Sequence, residues 1–158
     1  MKPLAIALCA ALGIALAGDT GGTVKNGAFH VKAGSSAALR FEFSLAKNVL
    51  FNRAGSSEIS FTDPFTNKPV TLEVTRGEAY PNDPKEYLQS LEPINAKLNV
   101  PASAKPGVYA VKLSAEVFLC EAVLKVCYVD EASGSMELRV GASGRDTPVR
   151  LEYAAPQR

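Results

Sequence analysis

Histidine is almost missing from this chain. His30 is the only one, so a Ser-His-Asp or Cys-His constellation would have to be built on that single imidazole. Nothing around it marks a catalytic centre, and a place on a strand edge is expected. The same scarcity argues against zinc, which needs three or four protein ligands, and against copper, since Met136 is the only methionine besides Met1. Asp63, Asp83 and Asp130 are acidic loop candidates but show no spaced calcium motif. No glycine-rich loop joins a strand to a helix, which removes the usual phosphate cradle. No cofactor is expected. There is also no basic run or stripe, so nucleic acid and anionic membranes are poor partners, because both need clustered Lys and Arg. Tyr80, Tyr87 and Tyr109 suit a core or rim better than a sugar-binding platform.

Long apolar runs are equally scarce. The one present, Leu4 to Leu16, follows Lys2 and precedes the small-residue site Ala15-Leu16-Ala17. That order is the pattern of a secretory signal peptide, and the run falls short of the roughly 20 residues of a membrane-spanning helix. Residues 1–17 are therefore expected to be a signal peptide, with 18–158 as one folded domain in a periplasmic or secreted protein. No transmembrane segment is expected after cleavage. Cys9 would leave with the signal, and Leu8 before it is not the small residue a lipid-attachment site wants. Of the three cysteines, Cys120 and Cys127 remain, and in an oxidising compartment an even pair reads as a disulfide. Loss of Lys2 balances acids and bases, so the mature chain is near neutral.

From residue 28 onward the pattern has period two, the mark of half-buried strands. Leu39, Phe41 and Phe43 alternate with Arg40 and Glu42; Ile59 and Phe61 alternate with Glu58, Ser60 and Thr62; Val70, Leu72 and Val74 form another set. The longest run places Tyr109, Val111, Leu113, Ala115, Val117 and Leu119 on one face and Lys112, Ser114 and Glu116 on the other. Met136 to Val140 and Val149 to Tyr153 add two more strands. Turn residues punctuate the runs at Gly34-Ser35-Ser36, Asp63-Pro64, Asn82-Asp83-Pro84, Lys105-Pro106-Gly107 and Gly134. The only helical candidate is a short turn within Asp83 to Leu91, and Ala154 to Arg158 reads as a frayed tail. Many short strands without helices predict an all-β protein, an immunoglobulin-like antiparallel β-sandwich.

Cys120 and Cys127 have only six residues between them, too close to be the inter-sheet bridge of antibody-like domains. Cys120 falls in step with Lys112, Ser114 and Glu116, which predicts an outward sulfur near the surface unless a bulge intervenes. Two strands joined by a hairpin would hold the sulfurs face to face. A ring this small stabilises by about 2–3 kcal/mol at most, and cross-strand bridges tend to be easier to reduce. Two roles stay open, a redox pair or a staple, and spacing alone favours the staple.

The stretch Lys97-Leu98-Asn99-Val100, the turn Lys105-Pro106-Gly107, the long alternating strand and Cys120-x6-Cys127-Tyr128 together resemble the N-terminal periplasmic domain of the disulfide reductase DsbD. Leu39 to Val140, with Asn48-Val49-Leu50-Phe51-Asn52, is compatible with the same layout. The resemblance implies an immunoglobulin-like fold whose hairpin disulfide, Cys120–Cys127, carries out thiol–disulfide exchange. It also implies Tyr128 as a pocket-shaping residue that limits access, and a thioredoxin-like or membrane redox protein as partner to a monomer. Lys125 would favour a thiolate and Glu121 oppose it, although both suit a solvated hairpin equally well. The loop Glu121 to Val126 is one residue longer than usual for that family and more apolar. For the family's cap loop the positional match is Gly77 to Tyr87, with Tyr80 or Tyr87 over the sulfurs. The competing expectation is a non-enzymatic envelope binding or structural module whose disulfide only braces a hairpin.

Overall fold

The structure is a computed structural model that describes residues 23–25, 28–142 and 149–155. The expected signal peptide, Cys9 and the last three residues lie outside the described residues. The chain forms β1 (Thr23–Lys25), β2 (Ala28–Lys32), β3 (Ser36–Ser44), β4 (Val49–Asn52), β5 (Glu58–Thr62) and β6 (Pro69–Glu73), then β7 (Gly77–Ala79), β8 (Tyr87–Leu91), β9 (Ile94–Asn99), β10 (Gly107–Glu121), β11 (Val126–Gly141) and β12 (Val149–Ala154). No helix occurs among the described residues. The smaller sheet has the order β1-β12-β3-β9; the larger runs β2-β11-β10-β4-β8-β7, with the β5–β6 hairpin also joined to β10. Most pairings are antiparallel. The contacts β2–β11 and β3–β12 are parallel.

Alternation decides which side chains meet between the sheets. Leu39, Phe41, Leu98 and Tyr153 of the smaller sheet are buried with Phe51, Phe61, Val111, Val117, Leu119 and Leu138 of the larger. The Phe41 and Phe61 rings stack across the gap at 6.3 Å. One polar link also crosses it: the Tyr153 hydroxyl donates to Asp130 Oδ2 at 2.5 Å, with both residues buried. Asp130 lies opposite Val117 in the β10–β11 ladder, so its side chain faces inward.

Several local expectations change on folding. Gly134 makes no turn; it pairs with Leu113 inside the 16-residue strand β11, where ladder hydrogen bonding to the partner strand overrides its turn preference. The expected helical segment is one turn, closed by Tyr87 N–H to Asp83 O at 3.1 Å, after which residues 87–91 pair as β8. Ala154 belongs to β12, and Ala155 N–H still bonds Ser44 O, so the ordered chain runs past the expected start of the tail. His30 is exposed on β2, at one end of the larger sheet's strand order.

The outer face of the larger sheet carries a row of like charges. Glu73 pairs with Glu58, Glu58 with Glu116, and Glu116 with Glu131, and all four are exposed. Directly opposed like charges destabilise a ladder. Glu116→Lys, which meets a glutamate on each side, is therefore expected to raise stability by about 0.5–1 kcal/mol. Urea unfolding at low salt should show the gain, and about 1 M salt should remove most of it by screening. An equal gain at both salt levels would assign the effect to strand propensity instead.

Candidate functional site

The site stands where β10 and β11 join. Their ladder ends with Cys120 opposite Cys127 and Glu121 opposite Val126, leaving a four-residue loop, Ala122 to Lys125. Lys125 N–H bonds Glu121 O at 2.9 Å, and Lys125 takes the left-handed conformation, φ 56°, that turns the chain back. Ala122 N–H donates to Asn48 O at 2.8 Å, tying the loop to the turn between β3 and β4. Because the cysteines are directly opposed on one face, their sulfurs bond: Cys120 and Cys127 form a disulfide, with Cα atoms 4.0 Å apart.

The two sulfurs have unequal surroundings. Alternation does put Cys120 on the outward face, yet it is only 3% exposed, where a surface position was expected. The reason is a second, smaller packing layer on that face. All four residues of β4 are buried. Val49 and Phe51 join the main core, while Leu50 is buried apart from it, as Cys120 is. The segment between β7 and β8 lies over this layer. Tyr80 N–H bonds Tyr87 O, and Arg53 N–H bonds Glu86 O, each at 2.9 Å, so the segment is fastened to itself and to the chain just after β4. Cys127 remains exposed.

A cavity of about 250 Å³ opens beside the bridge, lined by both cysteines with Leu50, Tyr80, Asp83, Tyr87, Glu121, Ala122 and Lys125. Tyr80 and Tyr87, the residues matched by position to a cap, thus share one cavity with the sulfurs, and so do the hairpin charges Glu121 and Lys125. Tyr128 is placed differently. It pairs with Leu119 and packs against the main core, because a residue next to an outward cysteine must point inward. It does not line the cavity, whose aromatic walls are Tyr80 and Tyr87. Beyond the bridge the hairpin is apolar and open: Val123 is 71% and Leu124 66% exposed, with Val126 also exposed, and Val129 is exposed on the strand side of the bridge.

Asn52 is the site residue that sequence reasoning missed. Its Nδ2 lies 3.2 Å from Cys120 Sγ and 3.8 Å from Cys127 Sγ, while its Oδ1 accepts the Ala54 N–H at 2.8 Å. A signal was present, since Asn52 ends the otherwise apolar run Val49-Leu50-Phe51 in step with Leu50, and a polar side chain buried there needs partners.

Among the described residues no group of three His, Cys, Asp or Glu side chains is placed to hold a metal ion, and no helix is long and apolar enough to cross a membrane. No family model matches the chain, and no curated protein matches it in sequence. The site is a disulfide with one cysteine buried beside an amide and the other exposed, next to a tyrosine-walled cavity.

Proposed function

We propose that this protein is an exported thiol–disulfide exchange module, similar in design to the N-terminal domain of DsbD, that passes reducing equivalents through Cys120 and Cys127. The observation that carries the reading is the asymmetry of the bridge. Cys127 is the sulfur-bearing residue exposed to an external thiolate, while Cys120 is buried. Attack by that thiolate forms a mixed disulfide at Cys127, breaks the Sγ–Sγ bond and leaves the electron pair on Cys120 as a thiolate. A second thiol of the same partner then attacks the partner's own sulfur in the mixed disulfide, closing the partner's disulfide and releasing Cys127. Two electrons pass to the cysteine pair, the partner dithiol is oxidised, and its two protons end on the two cysteine thiols or in solvent according to pH. In the reverse direction the Cys127 thiolate attacks a substrate disulfide and Cys120 resolves it. The partner is a dithiol protein of thioredoxin-like or membrane redox type, and the working compartment is the periplasm or the exterior, reached through the signal sequence of residues 1–17.

The test is the reduction potential of the folded protein, by equilibration in defined thiol buffers. The expected value lies above about −300 mV, the level below which structural bridges usually sit, with reduction by dithiothreitol proceeding while the protein stays folded. A lower potential, or a bridge that yields only on unfolding, would make it a staple and the protein a binding or structural module.

A further inference from the structure

We propose that Asn52 is the hydrogen-bond donor that takes up the charge on the leaving sulfur, Cys120, when the bridge opens. The inference rests on the exchange reading above and adds a residue to it.

The amide has one orientation available. Its oxygen accepts from the Ala54 backbone, and a flip would set an NH₂ group against that N–H, so the donor end is held toward the sulfurs. Asn52 is 7% exposed, which shields the contact from water. A disulfide sulfur accepts hydrogen bonds weakly, whereas a thiolate is a charged acceptor and strengthens them. The Nδ2 contact at 3.2 Å on Cys120 is thus weak in the oxidised protein and grows as the Sγ–Sγ bond breaks, which is the condition for lowering a barrier rather than stabilising the starting state. The longer contact, 3.8 Å to Cys127, favours Cys120 as the sulfur that departs. Attack on Cys127 by an external thiolate forms one S–S bond, breaks the Cys120–Cys127 bond and places the electron pair on Cys120, under the Asn52 amide. The charged and titratable groups facing the same space are Glu121 and Lys125 from the hairpin and Tyr80, Asp83 and Tyr87 from the covering segment; substitution at Asn52 leaves all five in place.

Two variants separate a donor from a turn-former. Asn52→Asp keeps the acceptor that Ala54 needs but replaces the donor by a carboxylate oxygen; Asn52→Ala removes both. Two readouts are taken for each. One is the rate at which dithiothreitol reduces the native bridge. The other is the thiol pKa of Cys120, from thiolate absorbance in a Cys127→Ser background. Loss of a preorganised donor is expected to slow reduction by about tenfold, and the thiol pKa should rise in the order wild type, Asn52→Ala, Asn52→Asp. A pKa and a rate unchanged in Asn52→Ala would overturn the proposal even if both move in Asn52→Asp, because a carboxylate beside the sulfur repels a thiolate on its own. If Asn52→Ala does not fold, Asn52→Ser takes its place, because its hydroxyl can still accept from Ala54 in a local turn while supplying neither the amide donor nor a new charge. Should the wild-type bridge resist dithiothreitol while folded, the exchange reading fails, and the Cys120 pKa series still decides whether the amide acts on sulfur.

Discussion

Cys127→Ser and Cys120→Ser are each expected to abolish exchange completely while leaving the sandwich folded. The bridge closes a ring over a sequence separation of 7, which limits its stabilising effect to about 2–3 kcal/mol. Fifteen paired positions along β10 and β11, together with the Ala122–Asn48 hydrogen bond, hold the hairpin without it. The surviving thiols should differ sharply. In Cys120→Ser the exposed Cys127 thiol should react freely with iodoacetamide. In Cys127→Ser the buried Cys120 thiol waits on local opening of its cover, so alkylation should be slower by about tenfold or more. Equal rates would contradict the assignment of Cys127 as the sulfur that meets partners. Unfolding of either variant, seen by circular dichroism, would mark the bridge as structural.

The sandwich was legible because its inner faces are written in simple alternation. Leu39 to Phe43 and Tyr109 to Leu119 each show it over several residues, and both sets point inward as expected. The short strands β7 and β8 carry no such pattern, β9 holds it only over Ile94 to Asn99, and β6 was only half readable. Val70 and Leu72 hold the apolar phase, but β6 pairs only with β5 in the sheet, and Val70 is left exposed. The hairpin pairing of the cysteines followed from their spacing and phase. The burial of Cys120 did not, because phase predicts the face a side chain takes and is silent about what later covers that face. The cover comes from residues 80–87, distant in sequence, and Asn52 gains its role only once β4 is laid beside β10. The direction of Tyr128 is set by the strand's two-residue period, which turns it toward the core.

Tyr153→Phe is expected to destabilise the fold by about 2 kcal/mol at neutral pH, the usual scale for a hydrogen bond to a buried carboxyl group. The hydroxyl it removes makes a polar link between the sheets, to Asp130. The loss should depend on pH in a definite sense. Burial first, then the hydrogen bond and the negative potential of Asp130, push the Tyr153 phenol well above its ordinary range. A phenol whose pKa is raised by folding keeps its proton in the native state while the unfolded chain loses it. Its contribution is therefore fully present below about pH 10 and declines above it, by about 1.4 kcal/mol for each further pH unit. The gap between wild type and Tyr153→Phe in urea unfolding should accordingly narrow by about 1 kcal/mol between pH 10 and 11. A gap that stays constant through that interval would mean that the phenol reaches solvent in the folded protein.

The place of the bridge at the closed end of one hairpin has a consequence for biosynthesis. In a sandwich whose cysteines lie on opposite sheets, oxidation must await the meeting of distant segments. Here the two partners are brought together by closure of a four-residue loop, and hairpins of this kind form in about 1–10 μs. Assembly of the sheets needs pairings as remote as β3 with β12 and is slower by nature. The cysteines can thus meet on a chain that has not yet assembled its core, so the oxidation state of a newly made molecule is set by the thiols it encounters and not by how far it has folded.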